Sequence, residues 1–271
     1  MLKRFQEYNI TLRRLKCRFG QPEVLWFGHI YSKQGMSPDP SKTKMIQNWP
    51  APTSKSETKS FLQTVQFCAV FMRPGSGRTY ADVTSPLRKL TAKEVRFKWD
   101  DQCQKSFEEL KGLLCSDTVM GNYEVGRKTR VYVDHGPDGV AATLAQEYIL
   151  PDQSQHVWRP VNHTSRSLTP AEKNYGKTDG ESLSVVHGVL SNKMYLYGIE
   201  FTVISDHLPL VSLYNSPNRP APVRVAKHRS KLGAFAFKLE YDPGSTTPCD
   251  YGSKHPPPLP RHSRVETSVL D

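Results

Sequence analysis

At 271 residues the chain has room for one large domain or two ordinary ones, and nothing in it approaches the run of about 18 apolar residues that spans a membrane. Its hydrophobic fraction, 37%, is low for a globular chain, but the wealth of aromatic residues excludes a disordered composition. The formal charge of +11 is uneven: residues 1–60 hold eleven Lys and Arg against four Asp and Glu, a surface suited to polyanions.

Along the chain, Leu2, Phe5, Tyr8 and Ile10 share one helical face. Cys17-Arg18-Phe19 and Val24–Tyr31 then read as a hairpin of two short strands. Between Pro40 and Pro50 a short helix spans Lys42–Trp49. Thr53-Ser54-Lys55-Ser56-Glu57 spells an N-terminal cap for a second helix, Glu57–Met72, broken by Pro74–Gly77. Its Phe61, Val65, Phe67, Cys68 and Phe71 are mostly core. Leu87, Leu90, Phe97 and Trp99 lead into an amphipathic helix, Gln102–Cys115. Residues 35–117 thus form a small, mainly helical domain, and residues 118–128 connect it to the next unit.

From Thr129 the pattern turns to strands, at 129–134, 139–147 and 156–166. Thr178-Asp179-Gly180-Glu181 has a capping-box spelling, and the helix behind it points Leu183, Val186, Val189/Leu190 and Met194 toward a core. A strand at 200–205, helical stretches near 208–214 and 222–233, and a strand at 235–241 follow. Residues 256–271 begin with a proline-rich stretch and read as a disordered tail. The order implies an α/β fold with a mixed sheet.

Four acids stand out in this second half: Asp134 and Asp206 each follow a β-branched run, Glu181 opens a helix, and Asp250 lies beyond the last strand. Strands carrying Asp134 and Asp206, if adjacent and parallel, would make those carboxylates neighbours, with Glu181 brought over the same edge by the crossover helix. Carboxylates gathered this way repel one another unless a hard cation such as Mg²⁺ neutralises them. Two such ions about 4 Å apart can clamp the attacking and leaving oxygens of a phosphodiester. The five cysteines show no Cys-x-x-Cys spacing, which argues against a zinc site or a disulfide framework. With no signal peptide after Met1, an intracellular protein, cytoplasmic or nuclear, is expected.

Taken together, these segments resemble the reverse transcriptase/ribonuclease H polyprotein of gypsy-like LTR retrotransposons over roughly residues 1–255. Leu15-Lys16-Cys17-Arg18-Phe19 and Trp26-Phe27-Gly28-His29 are similar to the end of the palm with its primer-grip hairpin, which makes residues 1–34 a palm remnant. Gly35–Lys42 and Trp49-Pro50-Ala51-Pro52 resemble the start of the thumb. Asp134-His135-Gly136-Pro137-Asp138-Gly139-Val140 is similar to the family's Asp-Ala-Ser-Pro-x-Gly signature. Leu144-Ala145-Gln146, Ser165–Thr169, Glu172-x-x-Tyr175, Tyr195–Gly198, Ser205-Asp206-His207 and Asp250–His255 follow in the family's order.

The resemblance implies a ribonuclease H-like mixed sheet with flanking helices over residues 129–255, preceded by the helical thumb-like domain. It implies that Asp134, Glu181, Asp206 and Asp250 hold two Mg²⁺ or Mn²⁺ ions and that the RNA strand of an RNA–DNA hybrid is the substrate. Lys16, Arg18, Trp26, Gly28 and His29 would face that hybrid, and Tyr241 would lie near the leaving group. A complete reverse transcriptase or another retroelement protein is the implied partner, with no membrane involved. The Tyr-x-Asp-Asp polymerase motif would lie upstream of Met1, so no DNA synthesis is expected from this chain alone. His135 and Gly136 replace the family's Ala and Ser, Gln63-Thr64 replaces a Gly-Leu, and Thr247 replaces an Asn. His135 itself reads as a metal ligand, a proton shuttle or a plain loop substitution. The competing functional reading is a catalytically inert nucleic-acid-binding remnant or an accessory subunit.

Overall fold

The computed structural model describes residues 2–13, 17–72, 78–114, 119–149, 156–216 and 219–243. Lys16, the 74–77 break, Asp250 and the 256–271 tail lie outside those residues.

After a short helix α1 (Leu2–Glu7), an antiparallel meander runs through β1 (Glu23–Trp26), β2 (His29–Ser32) and β3 (Gly35–Pro38). Phe27 and Gly28 join β1 to β2 with φ of 47° and 72°, the left-handed pair whose twist matches a two-residue hairpin. The sheet is larger than expected: Gly35–Pro38 forms a third strand instead of opening the helical unit. Met36 then exchanges backbone hydrogen bonds with Met120 at 2.8 and 2.9 Å, tying the connecting segment to this sheet.

Four helices follow, α2 (Pro40–Gln47), α3 (Lys55–Phe67), α4 (Tyr80–Leu90) and α5 (Asp101–Leu113). Asp39 caps α2 by accepting from Ser41 N at 2.9 Å. The cap expected for α3 is present: Ser54 Oγ accepts from Glu57 N at 3.2 Å, and Glu57 accepts from Thr53 N at 2.7 Å. Ile46, Phe61, Val65, Leu87, Phe107 and Leu110 form the core of this unit. Helix α4 was not legible as a helix because Pro86 lies inside it, and proline usually ends one. A reciprocal capping box starts it all the same: Thr79 Oγ1 accepts from Asp82 N and Asp82 accepts from Thr79 N.

The second unit is a five-stranded sheet in the order β6-β5-β4-β7-β8. Its strands are β4 (Thr129–His135), β5 (Gly139–Ile149), β6 (His156–Ser167), β7 (Glu200–Ser205) and β8 (Ala236–Tyr241). β4, β5 and β6 are antiparallel neighbours, whereas β4–β7 and β7–β8 are parallel. The intervening helices are α6 (Lys177–Ser191), α7 (Lys193–Leu196), α8 (Leu208–Asn215) and α9 (Val223–Lys231). Val131, Val133, Leu144, Val185, Val189, Val203, Leu210 and Leu239 make its core. Helix α6 lies close against the sheet at Gly188, where an added Cβ would sit 2.7 Å from Val133 Cγ1 and 3.0 Å from Ala142 Cβ.

Two local expectations are corrected. The cap of α6 is Gly176, one residue before the helix, so Thr178 lies inside the first turn and pairs with His207 Nε2 at 3.2 Å instead of capping. Met194 is 87% exposed, because the chain turns at Asn192 into the separate helix α7 and leaves the face that α6 buries.

The two units share α4. Its Tyr80, Val83, Leu87 and Leu90 enter the helical core, while Ala81, Asp82 and Ser85 are also buried, against the edge of the sheet. Arg88 Nη1 adds a 2.8 Å bond to Ser167 Oγ at the end of β6. A helix buried on opposite sides couples what it touches.

Candidate active site

The C-terminal ends of β4, β7 and β8 come together at one edge of the sheet, the position where open α/β sheets present ligand-binding groups. Tyr132 pairs with Ile204 across β4 and β7, and the same register carried two residues on sets Asp134 beside Asp206. Parallel strands run about 4.8 Å apart, so the two carboxylates leave neighbouring strand ends. Asp134 is half-buried and Asp206 is exposed. Tyr241 pairs with Ser205, immediately before Asp206, so it reaches the same edge from β8.

Glu181 comes to this edge from the first turns of α6. It is buried, at 4% exposure, and its Oε2 has no hydrogen-bond partner. Burial, followed by the charges of Asp206 and Asp134, pushes its carboxyl up to about 8, with Lys177 pulling the other way. Three of the four expected acids are therefore within electrostatic reach of one another. The fourth, Asp250, lies outside the described residues. The donor set is all oxygen, which suits a hard divalent cation, and the unpartnered Glu181 oxygen is an acceptor lacking the positive charge that would satisfy it. Among the described residues, no three Asp, Glu, His or Cys side chains are close enough to cage a metal by themselves.

His135 ends β4 beneath Gly180, where a Cβ would overlap its ring, and its Nε2 is buried without a partner. Burial lowers its pKa, while the acid that pulls it upward is Asp82 of α4. Sequence reasoning missed Asp82. The available signal was Thr79-x-x-Asp82, a capping-box spelling hidden by Pro86.

The expected nucleic-acid residues divide. Arg18 is exposed, and Trp26 is 59% exposed at the hairpin tip, against Phe27 and Tyr31. His29 instead stacks on Phe67 with centroids 4.7 Å apart, and Lys42 Nζ lies 3.7 Å from the centre of the same Phe67 ring. Gly28 is at the turn, with Lys42 over it. Lys16 lies outside the described residues.

Residues 99–203 match the family model described as an RNase H-like domain found in reverse transcriptase. The chain is similar to the retrovirus-related Pol polyprotein from transposon 412 of Drosophila melanogaster, at 30% identity over 87% of this chain. It is 27% identical to the transposon Tf2-3 polyprotein of Schizosaccharomyces pombe over 90% of this chain. In both cases it spans only 18% of the relative's length. In fold it resembles a foamy viral protease-reverse transcriptase solved in complex with RNA/DNA hybrid, with a TM-score of 0.63 and 19% identity. That likeness covers 93% of this chain and 31% of the viral one. A second foamy viral structure, in complex with dsDNA, gives a TM-score of 0.61 at 20% identity over 82% of this chain and 45% of that one. The expected retroelement polyprotein relationship and the mixed-sheet RNase H-like fold are thus both found. No helix among the described residues is long and apolar enough to cross a membrane.

Proposed function

We propose that the RNase H-like domain hydrolyses the RNA strand of RNA–DNA hybrids, with Asp134, Glu181, Asp206 and Asp250 as its metal-holding carboxylates. The observation that carries this reading is the buried, unpartnered Glu181 carboxyl facing Asp134 and Asp206 at one sheet edge. A pair of divalent cations, Mg²⁺ or Mn²⁺, would supply the charge neutralisation and the acidified water that phosphodiester hydrolysis needs. Glu181, held near neutrality by its surroundings, is the acid that gains most from a cation. Asp206, exposed at the end of β7, is the one best placed to meet substrate at the surface. Tyr241 borders the site from β8.

Hybrid binding is supported by the basic balance of residues 1–60 and by the exposed Trp26 and Arg18. Phosphate contacts from such residues would fix register, and minor-groove contacts to 2′-hydroxyls would select the RNA strand. In this reading residues 1–34 are a palm remnant, 35–117 a thumb-like unit, 118–128 a connection and 129–255 the nuclease. The parent polyprotein, or a complete reverse transcriptase, is the natural partner.

The test is to compare the wild-type chain with Asp206→Asn on strand-labelled hybrid in Mg²⁺. Cleavage by the wild type that the variant loses, with hybrid binding kept, supports the assignment. No cleavage by either protein, with binding retained, would mark the chain as an inert binding copy.

A further inference from the structure

The turn that follows Asp134 and His135 is not held by the sheet alone. Asp138 N donates to Asp82 Oδ1 of α4 at 2.7 Å, while the same carboxylate accepts from Thr79 N at 2.6 Å. Gly136 is pressed so closely against Asp82 that a Cβ would overlap its carboxylate. The Asp138 side chain is bound by Lys173 and also bonds to Ser85 of α4, and both hold its pKa down. Gly136 N closes the turn on Gly139 O at 2.9 Å. A buried carboxylate from a separate core thus grips residues 136–138, directly after the last strand residues Asp134 and His135.

We infer that Asp82 is a positioning residue for the Asp134 loop, so that the helical unit is a working part of the nuclease site. The inference rests on the nuclease reading above for its catalytic consequence, and on the hydrogen bonds alone for the grip itself. It also gives the departure at position 136 a physical reason. Serine, which the related signature carries there, would collide with Asp82, and only glycine lets α4 approach this far. His135, half-buried against Gly180 and within electrostatic reach of Asp82, lies beside it. Catalytic groups held by an outer layer of hydrogen bonds lose about 10–100-fold when that layer is removed.

The full chain with Asp82→Ala, Asp82→Asn and Gly136→Ala is compared with wild type in two measurements. Amide hydrogen exchange reads the Asp138 N–H, and hybrid cleavage reads kcat and KM separately. Asp82→Ala is expected to strip protection from the Asp138 amide and to lower kcat about tenfold or more, with KM within about twofold. Asp82→Asn keeps a carbonyl oxygen for that amide and recovers part of both. Gly136→Ala impairs kcat in the wild-type background but costs less than about twofold on top of Asp82→Ala, because the collision partner is gone. Unchanged Asp138 protection in Asp82→Ala, or costs for the two substitutions that simply multiply, overturns the inference. If wild type cleaves no hybrid the nuclease reading fails, and the exchange result still decides whether Asp82 grips the turn.

Discussion

Replacing Glu181 by Gln keeps the shape of the side chain and deletes the charge that its surroundings resist. The native carboxyl is pushed from 4.5 up to about 8 by burial and by Asp206 and Asp134, against a smaller pull from Lys177. A carboxyl that titrates higher in the folded state binds more protons there than when unfolded, so stability falls as pH rises from about 4.5 to about 8. Three and a half pKa units correspond to about 5 kcal/mol between the two ends of that window. In EDTA, wild type and Glu181→Gln are expected to unfold alike near pH 4.5. By pH 9 the variant should be the more stable by up to that amount. Adding Mg²⁺ should restore the wild type and leave the variant nearly unchanged, since a neutral amide has little to offer a cation. Urea titrations at pH 4.5, 7 and 9, with and without Mg²⁺, read all of this. Stability curves that stay parallel across the window would refute the claim that Glu181 is a buried acid facing two others.

Other substitutions probe the scaffold and the binding face. Gly188→Ala forces a methyl group against Val133 and Ala142 and should cost about 1–3 kcal/mol by overpacking, read as a lowered Tm. It should also impair cleavage, because α6 carries Glu181. Glu172 accepts a two-pronged bond from Arg166 at 2.8 and 2.9 Å, which depresses its carboxyl to about 2. That stabilisation is present above about pH 4.5 and lost as pH falls toward 2, so Glu172→Gln should be less stable than wild type at pH 7 and equal to it near pH 2 in denaturant titrations. Trp26→Ala should weaken hybrid binding by about 1–3 kcal/mol in a fluorescence titration while leaving Tm nearly unchanged, since the ring is mostly exposed.

Much of this fold was legible in the sequence because local signals agreed with the tertiary result. The β-branched runs before Asp134 and Asp206 became β4 and β7, and their adjacency in parallel followed from the helix between them. The Ser54 cap was legible for the same reason: its hydrogen bonds are local. What escaped was decided at long range. Gly35–Pro38 reads as a loop before a helix but is drawn into a strand by β2 and Met120. Helix α4 is hidden by Pro86, and a residue missing one hydrogen bond is tolerated where two cores bury the helix. The stacking of His29 on Phe67 is likewise a long-range contact that no local pattern announces. Position 136 was legible only as a departure from the related signature, whereas its cause, Asp82, lies 54 residues earlier in the chain.

Strand-resolved cleavage of an RNA–DNA hybrid tests the central claim most directly. With Mg²⁺ present, the chain should cut only the RNA strand and leave 5′-phosphate and 3′-hydroxyl ends, and both EDTA and Asp206→Asn should abolish the cut. Cleavage that survives EDTA or Asp206→Asn, or a hybrid bound but left whole in Mg²⁺ and Mn²⁺ alike, would contradict it.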